Sequence, residues 1–242
     1  MTFKTPPLVL VHGLSGSGRW WRNVRDRLSE RRDVHVLDVP RIHPHDAPRW
    51  LVGWLDGAGI DRVDLVGHSL GGLICARAAA GAPQRMRRLV LVAPAGIPTG
   101  RRFVGHAAPL AASLAQVPAY APRIALDALR TGPALIRAAL YAATHDLRTE
   151  LGRVQAPTLI AWGERDRLVP ARLAGEWLSA LPDARLVQLD AGHVPMWDAP
   201  DELAAAVLDF LEEPAHERGD EPRPRVMDGV GLAGNDDQPP VR

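Results

Sequence analysis

Val63-Asp64-Leu65-Val66-Gly67-His68-Ser69-Leu70-Gly71-Gly72 is the stretch whose reading decides the fold. Residues 63–66 form a short, largely apolar run of strand length, and 70–80 read as a helix. Between them, Gly67-His68-Ser69-Leu70-Gly71 matches Gly-x-Ser-x-Gly. A tight strand-to-helix turn strains the backbone of its central residue, and larger flanking side chains would clash there. Such a turn lifts a serine hydroxyl out of the sheet, and the helix N-terminus supplies positive potential beneath developing negative charge. An idle serine in a glycine-lined packing turn has the same spelling; the strand before it and the helix after it favour a nucleophile.

Similar apolar runs recur at 8–11, 34–39, 89–93, 158–162 and 186–189. Strands without polar alternation are buried on both faces, which indicates a parallel sheet covered by helices. Helical stretches lie between or after them at 19–30, 48–58, 171–181 and 200–211. The alternation predicts an α/β fold with a doubly wound, mostly parallel sheet. It breaks over 96–154, where Ala/Leu-rich helical segments are punctuated by Pro109, Pro118, Pro122 and Pro133. We read this as a helical cap inserted before the last two strands, leaving a core of residues 1–95 and 155–213. Residues 214–242 hold five prolines and four glycines with few large apolar side chains, and are expected to be disordered.

The chain has 242 residues, 46% hydrophobic and 24% charged, so it can bury a substantial core. Its net charge of +1 gives no electrostatic case for nucleic acid. The single Cys75 excludes an internal disulfide and a cysteine-based zinc site, and is read as a small buried hydrophobe. Neither a signal peptide nor an apolar run long enough to span a membrane is present, so a soluble, cytoplasmic protein is expected, a monomer or small homo-oligomer.

A serine hydroxyl needs an adjacent base oriented by a third group. His193, in Asp190-Ala191-Gly192-His193, follows the run at 186–189; Asp166, in Trp162-Gly163-Glu164-Arg165-Asp166, follows 158–162. The catalytic set is therefore read as Ser69, Asp166 and His193, in the chain order this arrangement uses. Glu164 is a rival for the acid, Asp190 is closer in sequence to His193 and is read as shaping that turn, and Pro94-Ala95-Gly96 offers no carboxylate. His43 and His45 lack a third ligand, so no metal is expected.

His12-Gly13 after the first run, Gly-His-Ser-Leu-Gly-Gly at 67–72, Gly-Glu-Arg-Asp at 163–166 and Gly-His at 192–193 together resemble the alpha/beta-hydrolase fold family. The resemblance covers roughly residues 7–213. It implies an oxyanion hole made of the backbone N–H groups of Leu14 and Leu70, a loop-organising role for His12, and no cofactor. His68 is read as packing. The chain departs from the family in starting almost at the first motif strand, without the usual leading hairpin, and in the short loop after 34–39.

The expected activity is hydrolysis of a small-molecule carboxylic ester through a covalent acyl-enzyme. Other cofactor-free chemistry (thioester hydrolysis, acyl transfer, carbon–carbon cleavage, perhydrolysis) and a catalytically weak ligand-binding protein are the alternatives. The cap's apolar residues suggest an uncharged or acyl-chain substrate, and Phe103, Tyr120, Tyr141, Met196 and Trp197 are the expected pocket residues.

Overall fold

The computed structural model of the chain describes residues 5–100, 107–116, 118–214 and 225–227. In chain order its elements are β1 (Leu8–Val11), α1 (Arg22–Ser29), β2 (Val34–Leu37), α2 (Ala47–Gly57), β3 (Val63–His68), α3 (Leu70–Gly81) and β4 (Met86–Val92). Then follow α4 (Ala107–Gln116), α5 (Ala121–Thr131), α6 (Ala134–Thr144), α7 (Arg148–Leu151), β5 (Thr158–Gly163), α8 (Leu173–Ala180), β6 (Ala184–Leu189), α9 (Pro195–Asp198), α10 (Pro200–Glu212) and β7 (Arg225–Met227).

The sheet runs β2-β1-β3-β4-β5-β6-β7, and every pairing is parallel. Because β1, β3 and β5 are buried at every position, both faces must be covered. One face packs Val9, Leu65 and Leu91 with α2, α3 and α8; the other packs Leu10, Val66 and Val90 with α1 and α10. Parallel strands bring all their C-terminal ends to one edge of the sheet, where ligands of open α/β sheets bind. The loops after β1, β3, β5 and β6 therefore gather there.

Three expectations are adjusted. The second strand stops at Leu37 rather than Val39, because the Val39 amide leaves the ladder and donates to the His12 ring (3.0 Å). The 19–30 stretch divides into a 3₁₀ turn at Gly18–Trp21 and α1. Within the region expected to be disordered, Arg225–Met227 pairs with β6 as an added edge strand; the rest of 215–242 lies outside the described residues. Among the described residues, the stretch between β4 and β5 holds helices and no strand, and no helix is long and apolar enough to cross a membrane.

α3 crosses β1 closely. A Cβ on Gly71 would lie 2.5 Å from the carbonyl oxygens of both Val11 and His12, whereas one on Gly53 of α2 would meet nothing within 4 Å. Gly71→Ala is thus expected to cost about 1–3 kcal/mol through overpacking. Gly53→Ala should instead stabilise by about 0.5–1 kcal/mol, since alanine suits a helix interior. Chemical denaturation of both variants, with opposite shifts in midpoint, checks the pair.

Candidate active site

β3 runs through Gly67 and His68 and turns into α3 at Ser69, whose φ is +52° and ψ −116°. A non-glycine residue held there stores about 1–3 kcal/mol. The strain is kept in place on both sides: the Ser69 N–H donates to the Val92 carbonyl (3.0 Å), and the Ser69 carbonyl accepts from Ala95 (3.0 Å) and Leu73 (3.2 Å). Gly67 must be glycine for a steric reason, since a Cβ there would sit 2.5 Å from the Gly71 carbonyl oxygen.

The structure brings together the three side chains singled out from sequence. His193 Nε2 lies 3.2 Å from Ser69 Oγ, and His193 Nδ1 lies 2.7 Å from Asp166 Oδ2. Asp166 accepts through Oδ1 from the amides of Leu168 and Val169, both at 2.9 Å. An ionised Asp166 can only accept, so Nδ1 carries the imidazole proton and Nε2 presents its lone pair to the serine hydroxyl. All three residues are buried, which strengthens each hydrogen bond. The rival acids stand elsewhere: Glu164 is exposed, and Asp190 is exposed and ion-paired with Arg165. The turn before His193 is held instead by Asp198, which accepts from the Gly192 amide at 2.7 Å.

Two further histidines brace the loops. His12 donates from Nδ1 to the Gly13 carbonyl (2.8 Å) and accepts at Nε2 from Val39. His68 does more than pack: its Nε2–H donates to the His193 carbonyl (2.8 Å), tying the serine strand to the histidine loop. Burial, and after it the neighbouring His193, pushes the His68 pKa down to about 3; burial likewise lowers that of His12. Both rings are neutral at pH 7. Cys75 is fully buried, and burial raises its thiol pKa, so it is a hydrophobe in practice.

A cavity of about 400 Å³ lies beside Leu14 and Leu70, the two residues whose amides were expected to face an oxyanion. Its floor is apolar (Val39, Ile42, Ile74 and Ala138 among others), and Asp127 and Arg130 of α5 close it from the helical insertion. The expected pocket residues do not line it. Met196 is fully buried in the core, and Tyr141 is hydrogen-bonded to Arg77 (2.8 Å) and stacked on His145. Tyr120 and Trp197 stack on each other and border a separate cavity, while Phe103 lies outside the described residues.

Asp127 was missed in the sequence. It is 4% exposed, and its Oδ2 accepts from Trp20 Nε1 (3.1 Å) and Ser17 Oγ (3.3 Å), on the loop that carries Leu14. Gln116 of α4 similarly donates to the Arg165 carbonyl (3.1 Å), beside Asp166. Over a hundred residues separate Asp127 from its partners, so no local pattern announces the contact.

The family profile of the alpha/beta hydrolases matches residues 8–206. The chain is 32% identical to the dihydrolipoyllysine-residue acetyltransferase component of an acetoin cleaving system from Pseudomonas putida; the match covers 86% of this chain but only 64% of that protein. It is 29% identical to the pimeloyl-[acyl-carrier protein] methyl ester esterase of Nitrosomonas europaea, over 83% of this chain and 93% of that one. Among solved structures, the enol-lactonase from Burkholderia xenovorans shares the fold at a TM-score of 0.72, with 24% identity over 87% of this chain and 92% of that one.

Because His68 is kept neutral when folded, the unfolded chain binds one more proton than the folded one between about pH 6.5 and about pH 3. Stability should therefore fall as pH drops below 6.5, with a slope approaching about 1.4 kcal/mol per pH unit from this group. Urea denaturation at pH 7.5 and 5 should show that loss, smaller in His68→Gln. Asp127→Ala leaves the Trp20 and Ser17 donors unpaired and is expected to cost about 1–3 kcal/mol by the same measurement.

Proposed function

The chain belongs to the alpha/beta hydrolase family, and on that premise we propose that it is a serine hydrolase cleaving a carboxylic ester through Ser69, His193 and Asp166. The observation that carries this reading is the continuous hydrogen-bonded line from Asp166 through His193 to a serine on a strained turn.

In the proposed cycle, Ser69 Oγ attacks the ester carbonyl as its proton passes to His193 Nε2. The amides of Leu14 and Leu70 hold the resulting oxyanion, each such donor being worth about 3–4 kcal/mol of barrier. The tetrahedral intermediate collapses, the C–O bond breaks, and His193 returns the proton to the departing alkoxide. Water then repeats the sequence on the acyl-enzyme and releases the acid. Asp166 holds the tautomer and stabilises the imidazolium that forms. Ester cleavage is favoured over amide cleavage because an alkoxide is the easier leaving group.

The insertion of residues 96–154 acts in this reading as a cap. Asp127 and Arg130 face the cavity beside Leu14 and Leu70, and the apolar floor suits the body of a small acyl compound. The methyl ester esterase named above supports the same bond type.

A fluorophosphonate probe with mass-spectrometric mapping tests the reading. Labelling at Ser69 is expected, absent in Ser69→Ala and slowed at least about 10³-fold in His193→Ala; Asp166→Asn should lower turnover of aryl esters by about 10⁴-fold. A folded wild-type protein that neither takes the label nor hydrolyses aryl esters would sink the proposal.

A further inference from the structure

The sequence holds 28 arginines and a single lysine, and most described arginines are engaged by a carboxylate or a carbonyl. Arg19, Arg22 and Arg123 depart from that habit: among the described residues, none of the three has an ion-pair or hydrogen-bond partner for its guanidinium. All three line one cavity of about 810 Å³, together with Arg25. One wall is Tyr120 stacked on Trp197, with ring centroids 4.2 Å apart and planes at 11°. Asp38 is its one acid, and that carboxylate already accepts from the Gly18 amide at 2.6 Å.

Like charges gathered in a cleft repel one another, and their field favours entry of a counter-charge. Guanidinium forks match the paired oxygens of phosphate and carboxylate better than a point charge does. The cavity also adjoins the candidate active site. It shares Arg19 and Asp38 with the cavity beside Leu14 and Leu70. Trp197 lies four residues beyond His193 and donates from Nε1 to the Trp20 carbonyl (3.2 Å), while the Trp20 ring stands 6.3 Å from His68.

We propose that this second cavity is an anion subsite, in which Arg19, Arg22 and Arg123 bind a phosphate or carboxylate group carried by the substrate. Its assignment to the substrate rests on the serine-hydrolase reading, whereas anion binding itself does not. To the uncharged or acyl-chain substrate expected from the apolar insertion, this reading adds an anionic group.

The test is calorimetric titration of the full chain with inorganic phosphate and, separately, succinate, at constant ionic strength set by chloride. Saturable binding of at least one anion is expected, unchanged in Ser69→Ala and in Arg49→Glu, whose arginine lines neither cavity. The tighter anion identifies the group recognised. Arg22→Glu combined with Arg123→Glu should weaken binding at least tenfold; both acids fall in first helical turns, where they suit the helix dipole, so the fold is retained. No saturable binding of either anion, or binding that survives the double reversal, overturns the proposal. Anion binding by a protein that fails the fluorophosphonate test would leave the subsite standing and remove only the hydrolase reading.

Discussion

Ser69 at a φ of +52° is the constraint around which the rest of the molecule is arranged. A non-glycine residue stays in that region only when its surroundings over-determine it. Here β4 holds the serine amide from one side, the residues after β4 hold its carbonyl from another, and α3 lies so close to β1 that only glycine fits at 71. The cost is met by packing: β1, β3 and nearly all of β4 and α3 are buried. What the strain achieves is direction. It lifts one hydroxyl above the sheet edge to which the other loops converge, and fixes it 3.2 Å from a histidine nitrogen.

Electrostatics at that edge follow from which buried groups are charged. His12 and His68 are kept neutral by burial and act through oriented N–H and lone-pair contacts to backbone. The oxygens of Asp166 are satisfied by two amides and an imidazole N–H, so the buried side chain has no orphaned acceptor. The second cavity is the opposite case. Three of its guanidiniums, those of Arg19, Arg22 and Arg123, have no protein partner among the described residues, while Arg25 is paired with Asp26 and the one acid in the lining, Asp38, accepts from the Gly18 amide.

The helical insertion joins these two regions. Gln116 bonds beside Asp166, Tyr120 stacks on Trp197 after His193, and Asp127 binds the loop after β1. The segments beside Asp166, after His193 and after Leu14 are thus each touched by a different point of the insertion. Displacing the insertion would leave the Trp20 and Ser17 donors, and the buried Asp127, without partners, so its position and the geometry of these loops are energetically linked.

The order of strands and helices, the turn at Ser69 and the positions of Asp166 and His193 just beyond strand ends were legible in the residues themselves. Buried parallel strands must be continuously apolar, and so tight a strand-to-helix turn must be flanked by glycine, so both leave local patterns. Other features left no such pattern. Val39 leaves its strand because a histidine on a neighbouring loop takes its amide, and His68 looks like packing until the His193 carbonyl arrives opposite it. Tyr141 and Met196 were plausible pocket residues by type, yet one is bonded to Arg77 and the other is enclosed in the core. Asp127 and the cluster of Arg19, Arg22 and Arg123 depend on contacts between segments about a hundred residues apart. Sequence by itself determined the order of the elements and the turn that carries Ser69, because periodicity and turn constraints are local. Only the tertiary structure decided what surrounds that chemistry, because cavities and buried partners exist only once distant segments pack together.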